Sequence, residues 1–131
     1  MADLTRIASP SFDGSNPTLH KISGLVAGEA LLIGDLVYIK SDGKVWKAVG
    51  TAATAPAKTV GMVGLDCSVG EAATIFCRGW RWNYSTGLTP GAKYYVSGTA
   101  GLLSDVATTG GTTPVALAVS ATDIVFSDFQ N

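Results

Sequence analysis

The sequence predicts an all-β fold, a small barrel or sandwich built from short hairpins, with an extended N-terminal arm. Three observations predict it. Short runs rich in β-branched and aromatic residues recur at even spacing between clusters of Gly, Pro, Asn and Asp. Glycine fills 16 of the 131 positions, well above the usual ~7%. The apolar fraction is 47% with only 15% charged residues, so the chain has enough apolar surface to fold around a core and is not disordered. Its length suits one domain.

Residues 1–22 are polar and turn-rich, with Ser9-Pro10-Ser11 and Asp13-Gly14-Ser15-Asn16-Pro17. Only Leu4, Ile7, Phe12, Leu19 and Ile22 can anchor them. Such an arm either orders against a neighbour or stays a loose terminus. Residues 23–131 form the β-rich domain. Leu31-Leu32-Ile33 and Leu36-Val37-Tyr38-Ile39-Lys40 read as strands, and Asp42-Gly43 suits a type I′ turn into a returning strand at Val45-Trp46-Lys47-Ala48-Val49. Residues 50–59 carry no periodicity and read as a surface loop. Residues 60–67 and 73–77 make a second hairpin around Val69-Gly70. Thr89-Pro90-Gly91 predicts a type II turn, followed at once by a strand at Lys93-Tyr94-Tyr95-Val96 and then by Leu102-Leu103. After a loop at 106–113, residues 114–119 and 124–126 close the chain as two strands.

A weak internal echo runs through this pattern. The segment from Gly34 aligns without gaps on the segment from Gly91, with Tyr38 on Tyr95, Ile39 on Val96 and Val45 on Leu102. A second echo sets Val60-Gly61-Met62-Val63 near Val115-Ala116-Leu117-Ala118. Either both halves share one arrangement, or similar hairpin chemistry arose twice.

Charge and hydropathy limit the function. Nine basic and ten acidic residues give a net charge of -1, which offers no footprint for nucleic acid or anionic lipid. No apolar stretch approaches the ~18 residues of a membrane span, and the N-terminus lacks the apolar centre of a signal peptide, so cytosolic synthesis is expected. The mean hydropathy of +0.30 with so little charge predicts self-association or a partner surface.

Catalytic signals are absent from the pattern. His20 is the one histidine and lies in the arm. The acids mostly sit at turns and strand ends, where carboxylates bond local amides. Cys67 and Cys77 are placed as two free buried thiols, and two sulfurs alone make no zinc site. No cofactor or metal is expected. The one concentrated feature is Arg78-Gly79-Trp80-Arg81-Trp82-Asn83-Tyr84. If it continues the strand from Ala73, then Phe76, Arg78, Trp80, Trp82 and Tyr84 share one face. That face reads as an interface hot spot, as a core strand, or as a sugar-stacking platform. The candidate interface residues are therefore Leu4, Ile7, Phe12 and Leu19 in the arm with Arg78, Trp80, Trp82 and Tyr84 on this face.

Residues 28–48, with Gly34-Asp35-Leu36-Val37-Tyr38 and Ser41-Asp42-Gly43-Lys44-Val45, resemble the small capsid decoration, or cement, proteins of tailed bacteriophages and the related head-fibre bases. So do Val60-Gly61-Met62-Val63-Gly64, Val69-Gly70-Glu71, Leu88-Thr89-Pro90-Gly91-Ala92-Lys93-Tyr94-Tyr95 and Val115-Ala116-Leu117-Ala118-Val119. Order and spacing over residues 28–126 carry the match, since each motif alone is strand and turn grammar. The resemblance implies a β-rich, commonly trimeric virion protein on the outer capsid surface, bound where major capsid subunits meet and securing the shell. It implies no catalytic residues, an arm that reaches over capsid subunits, and Gly-rich loops that face outward or line the trimer. Without a long fibre or a lectin-like domain, a cement role is expected ahead of a receptor- or glycan-binding module of a head or tail fibre. A small β-barrel enzyme is the third possibility, with no residue set to support it.

Overall fold

The computed structural model describes residues 3–8, 10–12, 21–52 and 54–126, with only the backbone described for Ser11, Phe12 and Ala55. Among these residues there is no α-helix. The strands are β1 Ser11–Phe12, β2 Lys21–Val26, β3 Leu36–Ile39, β4 Val45–Lys47, β5 Gly61–Val63, β6 Ala72–Phe76, β7 Arg81–Asn83, β8 Lys93–Val96, β9 Leu103–Ser104, β10 Ala116–Ala118 and β11 Asp123–Phe126, with one short 3-10 turn at Ala55–Ala57.

They form two antiparallel sheets, ordered β2-β6-β5-β3-β4 and β1-β7-β11-β10-β8-β9. Apart from β1, the two orders are the same path displaced by five strands. In each, a hairpin (β3–β4, β8–β9) is followed by a strand that pairs on the free side of the hairpin's first strand (β5, β10). The next strand pairs with that one (β6, β11), and the strand preceding the hairpin (β2, β7) pairs outside it. The aligned segments from Gly34 and Gly91 supply β3 and β8, and the second echo supplies β5 and β10. The echo in the sequence is thus an echo in topology.

One side of the first sheet supplies Leu36 and Met62 to a core shared with the second sheet, where Trp80, Trp82, Tyr84, Tyr94, Val96, Ile124 and Phe126 are buried. Its other side supplies Val37, Val63 and Ile75 to a smaller cluster with Ala27, Leu31, Val45, Cys67 and Cys77. This alternation is the period of two expected for strands covered on both faces. The chain leaving β2 then crosses to the far edge of its own sheet. Ala27 bridges Val45 in parallel, and the Gly28 amide donates to the Val45 carbonyl at 2.8 Å. The two edges of the sheet therefore meet at that point.

Several expectations shift. β2 begins at Lys21, so its first two residues come from the segment read as the arm. Residues 31–33 form no strand; Leu31 makes a single bridge to Cys67. The β3–β4 turn is not the two-residue type I′ turn. The Gly43 amide donates to Lys40 and the Lys40 amide to Lys44, so three residues form the loop and Gly43 takes the left-handed position at φ +80. The Thr89–Ala92 turn is closed by the Ala92 amide bonding the Thr89 carbonyl at 3.0 Å and leads directly into β8, as the sequence predicts.

Candidate functional site

The aromatic run does not continue β6. That strand ends at Phe76, the chain turns at Gly79 with φ +99, and β7 starts at Arg81. A side chain at residue 79 would be strained in this conformation, so the break belongs to the glycine. Trp80 is 2% exposed, and Trp82 and Tyr84 are fully buried. Phe76 meets Trp80 and Trp82 edge-on, at centroid distances of 4.9 and 6.4 Å. The Tyr84 hydroxyl accepts the Leu103 amide at 3.2 Å, and burial pushes its pKa well above the ordinary phenol value. Trp80, Trp82 and Tyr84 are therefore core residues, which corrects both their interface assignment and the sugar-stacking platform. The space between two sheets has to be filled, and these are the largest side chains available to fill it. Arg78 alone among the four is exposed, and it does not share a face with the aromatic residues.

The arm is also placed differently. Its described part lies on its own domain. Asp3 bridges Ser104 and the Leu4 amide donates to Leu103. The Thr5 carbonyl accepts the Ser85 hydroxyl at 2.5 Å, and the Ile7 amide donates to Tyr84 at 3.0 Å. β1 then pairs with β7, Ser11 opposite Asn83 and Phe12 opposite Trp82. Residues 3–8 and 10–12 thus run from β9 to β7, joining the two edges of the second sheet as residues 27–28 join those of the first. Leu4 and Ile7 are half-buried on their own chain. Leu19 and His20 lie outside the described residues, and Phe12 is described only through its backbone.

Polar locks hold this segment. Asp3 accepts the hydroxyls of Ser97 and Thr99, which keep its carboxyl below the ordinary value. Arg6 reaches Asp35 at 2.5 Å. Asp35 is 2% exposed and also accepts the Leu32 amide at 2.8 Å, with Lys47 Nζ at 4.0 Å. A buried carboxylate needs such partners, and the arm supplies the closest one. Sequence reasoning missed this pair because nothing in the spacing of Arg6 and Asp35 marks them as neighbours.

Among the described residues, the three most exposed large apolar side chains gather at one place. Leu65, Val69 and Leu32 are 70%, 67% and 53% exposed. All three lie within two residues of the Leu31–Cys67 bridge, where residues 27–34 and 63–71 run side by side. Around them Glu29, Asp66 and Glu71 accept the amides of Lys47, Ile33 and Ser68. Leu32 and Leu65 fall in runs that read as strands, so their exposure was not legible. Cys67 and Cys77 are buried and form no disulfide, and burial, then Glu71 and Asp66, push the Cys67 thiol up, away from the reactive thiolate. Among the described residues no group of three or more His, Cys, Asp and Glu side chains is placed to hold a metal ion.

No family model matches the chain, and no curated protein matches it.

Proposed function

We propose that the protein is a structural virion protein that binds the outside of a bacteriophage capsid and stabilises the shell, as a homotrimer in contact with the major capsid protein. The observation that carries this reading is the order and spacing of strand and turn motifs over residues 28–126. The exposed Leu32, Leu65 and Val69 support it, since a patch of this kind suits a partner surface. The action is physical and needs no catalytic group. Each protomer removes apolar surface from water at roughly 25 cal/mol per Å², and many repeated contacts add avidity to weak single ones. The alternative reading, a receptor- or glycan-binding module, loses its aromatic platform now that Trp80, Trp82 and Tyr84 are buried.

The test uses capsids prepared with and without the protein, challenged by heat and osmotic shock. Decorated shells should withstand both better, and Leu65→Ser with Val69→Ser should lower occupancy while leaving the protomer folded. Equal shell survival with and without the protein counts against a cement role.

A further inference from the structure

The net charge of -1 conceals a segregation that only the topology exposes. In the antiparallel order β2-β6-β5-β3-β4, the starts of β2, β4 and β5 and the ends of β3 and β6 share one end of the sheet. Lys21 opens β2, Lys40 follows β3, Lys44 precedes β4, Lys58 lies three residues before β5, and Arg78 lies two residues after β6. All five are exposed. The ion pairs described, Arg6–Asp35, Lys47–Asp35 and Arg81–Asp123, use none of them. Lys40 Nζ stands 4.3 Å over the Trp46 ring, with Asp42 the acid at this end among the described residues and Ile39 partly exposed beside it. The opposite end carries Glu29 after β2, Asp66 after β5 and Glu71 before β6, together with the exposed Leu32, Leu65 and Val69; the cations there, Arg6 and Lys47, are both engaged by Asp35.

We propose that copies of this chain associate head to tail, the basic end of one first sheet against the acidic, apolar end of the next. The occupant is a second copy because the chain itself presents the complement. Opposite charge fixes the orientation and speeds encounter, while the stems of Lys40, Lys44 and Lys58 can cover apolar side chains with their ammonium groups facing the acids. Like ends repel, so the contact is heterologous; it closes into a ring, such as a trimer, if the rotation between copies divides the circle. The inference rests on the homotrimer of the proposed function and is tested without a shell, so its failure removes the homotrimer and leaves binding to the shell to its own test.

Sedimentation velocity of the full chain at low ionic strength is the test. The expected result is an assembly heavier than the 13.4 kDa protomer, which returns to the protomer in about 1 M salt, where the screening length is about 3 Å. Lys40→Glu, Lys44→Glu and Lys58→Glu together reverse the basic end on exposed side chains, and this variant alone should remain a protomer. Mixed with the wild type it keeps a normal acidic end, so it should join assemblies and terminate them, lowering their mean mass. Glu29→Gln, Asp66→Asn and Glu71→Gln retain the carbonyl oxygens that accept the loop amides and should weaken assembly in the same direction, with circular dichroism checking the fold of both variants. A wild-type protomer at every concentration and salt, or an assembly whose mass ignores both triple variants, overturns the proposal. So does a basic end that retains nucleic acid and yields only protomer after nuclease treatment.

Discussion

The two sheets follow one strand path but close their edges by different means. In the first sheet, residues adjacent to β2 do it: Ala27 and Gly28 reach Val45 directly. The cluster inside is correspondingly small, made of Ala27, Leu31, Val37, Val45, Val63, Ala73, Ile75 and two thiols. The second sheet packs tryptophan, tyrosine and phenylalanine, and its edges are joined by the N-terminal segment, with Ser85 bonding Thr5 across 80 positions of sequence. A repeated topology therefore does not imply a repeated way of satisfying edge hydrogen bonds. Local closure depends on the loop, whereas remote closure makes the second half depend on the N-terminal segment.

The largest way to break this comparison is Trp82→Ala, which removes a fully buried side chain from the aromatic half and should cost about 3–5 kcal/mol. Ile75→Val in the small cluster should cost only about 0.5–1.5 kcal/mol. Urea denaturation of both variants checks the contrast, and similar losses would show that the two cores are equally demanding.

Next comes the lock that ties the halves together. Asp35 belongs to the first half, yet it holds Arg6 of the segment that closes the second. Asp35→Ala should cost about 3–5 kcal/mol by leaving Arg6 without its carboxylate. Removing residues 1–8 should destabilise the domain in the same way, and adding Asp35→Asn to that truncation should recover part of the loss. A truncated chain with wild-type stability would mean that the segment is a passive tail.

The smallest effect is the Asp3 clasp. Its carboxyl is lowered in the folded chain by Ser97 and then Thr99, so its stabilising contribution is present above the ordinary carboxyl value of 3.8 and is lost as pH falls through the lower folded value. Exchange of the Leu4 amide, which donates to Leu103, should therefore quicken in acid relative to the core strands. Asp3→Asn should bring that quickening to neutral pH and abolish its pH dependence.

Much of the fold was legible. β-branched runs located β3, β4, β8 and β11, the Pro90-Gly91 pair located the turn before β8, and the Gly34 and Gly91 segments anticipated the duplicated path. The candidate site was less so. Alternation puts Trp80, Trp82 and Tyr84 on one face but does not say whether that face meets water or a second sheet. The segment of Leu4 and Ile7 has the composition of an arm that needs a neighbour, and the neighbour is its own chain. Leu32 and Leu65 have the composition of strand residues and lie instead in exposed loops, because pairing with other segments ends β5 at Val63.

The sequence by itself determined that this is an all-β chain of short hairpins, since local φ/ψ preference, turn residues and a two-residue apolar period act between near neighbours. It also determined how few charges there are. Only the tertiary structure decided which aromatics are buried, which segment closes the second sheet, and that Lys21, Lys40, Lys44, Lys58 and Arg78 gather at one end while Glu29, Asp66 and Glu71 gather at the other. Burial and electrostatic fields depend on distances in space, and strand order brings together residues that are dozens of positions apart in the chain.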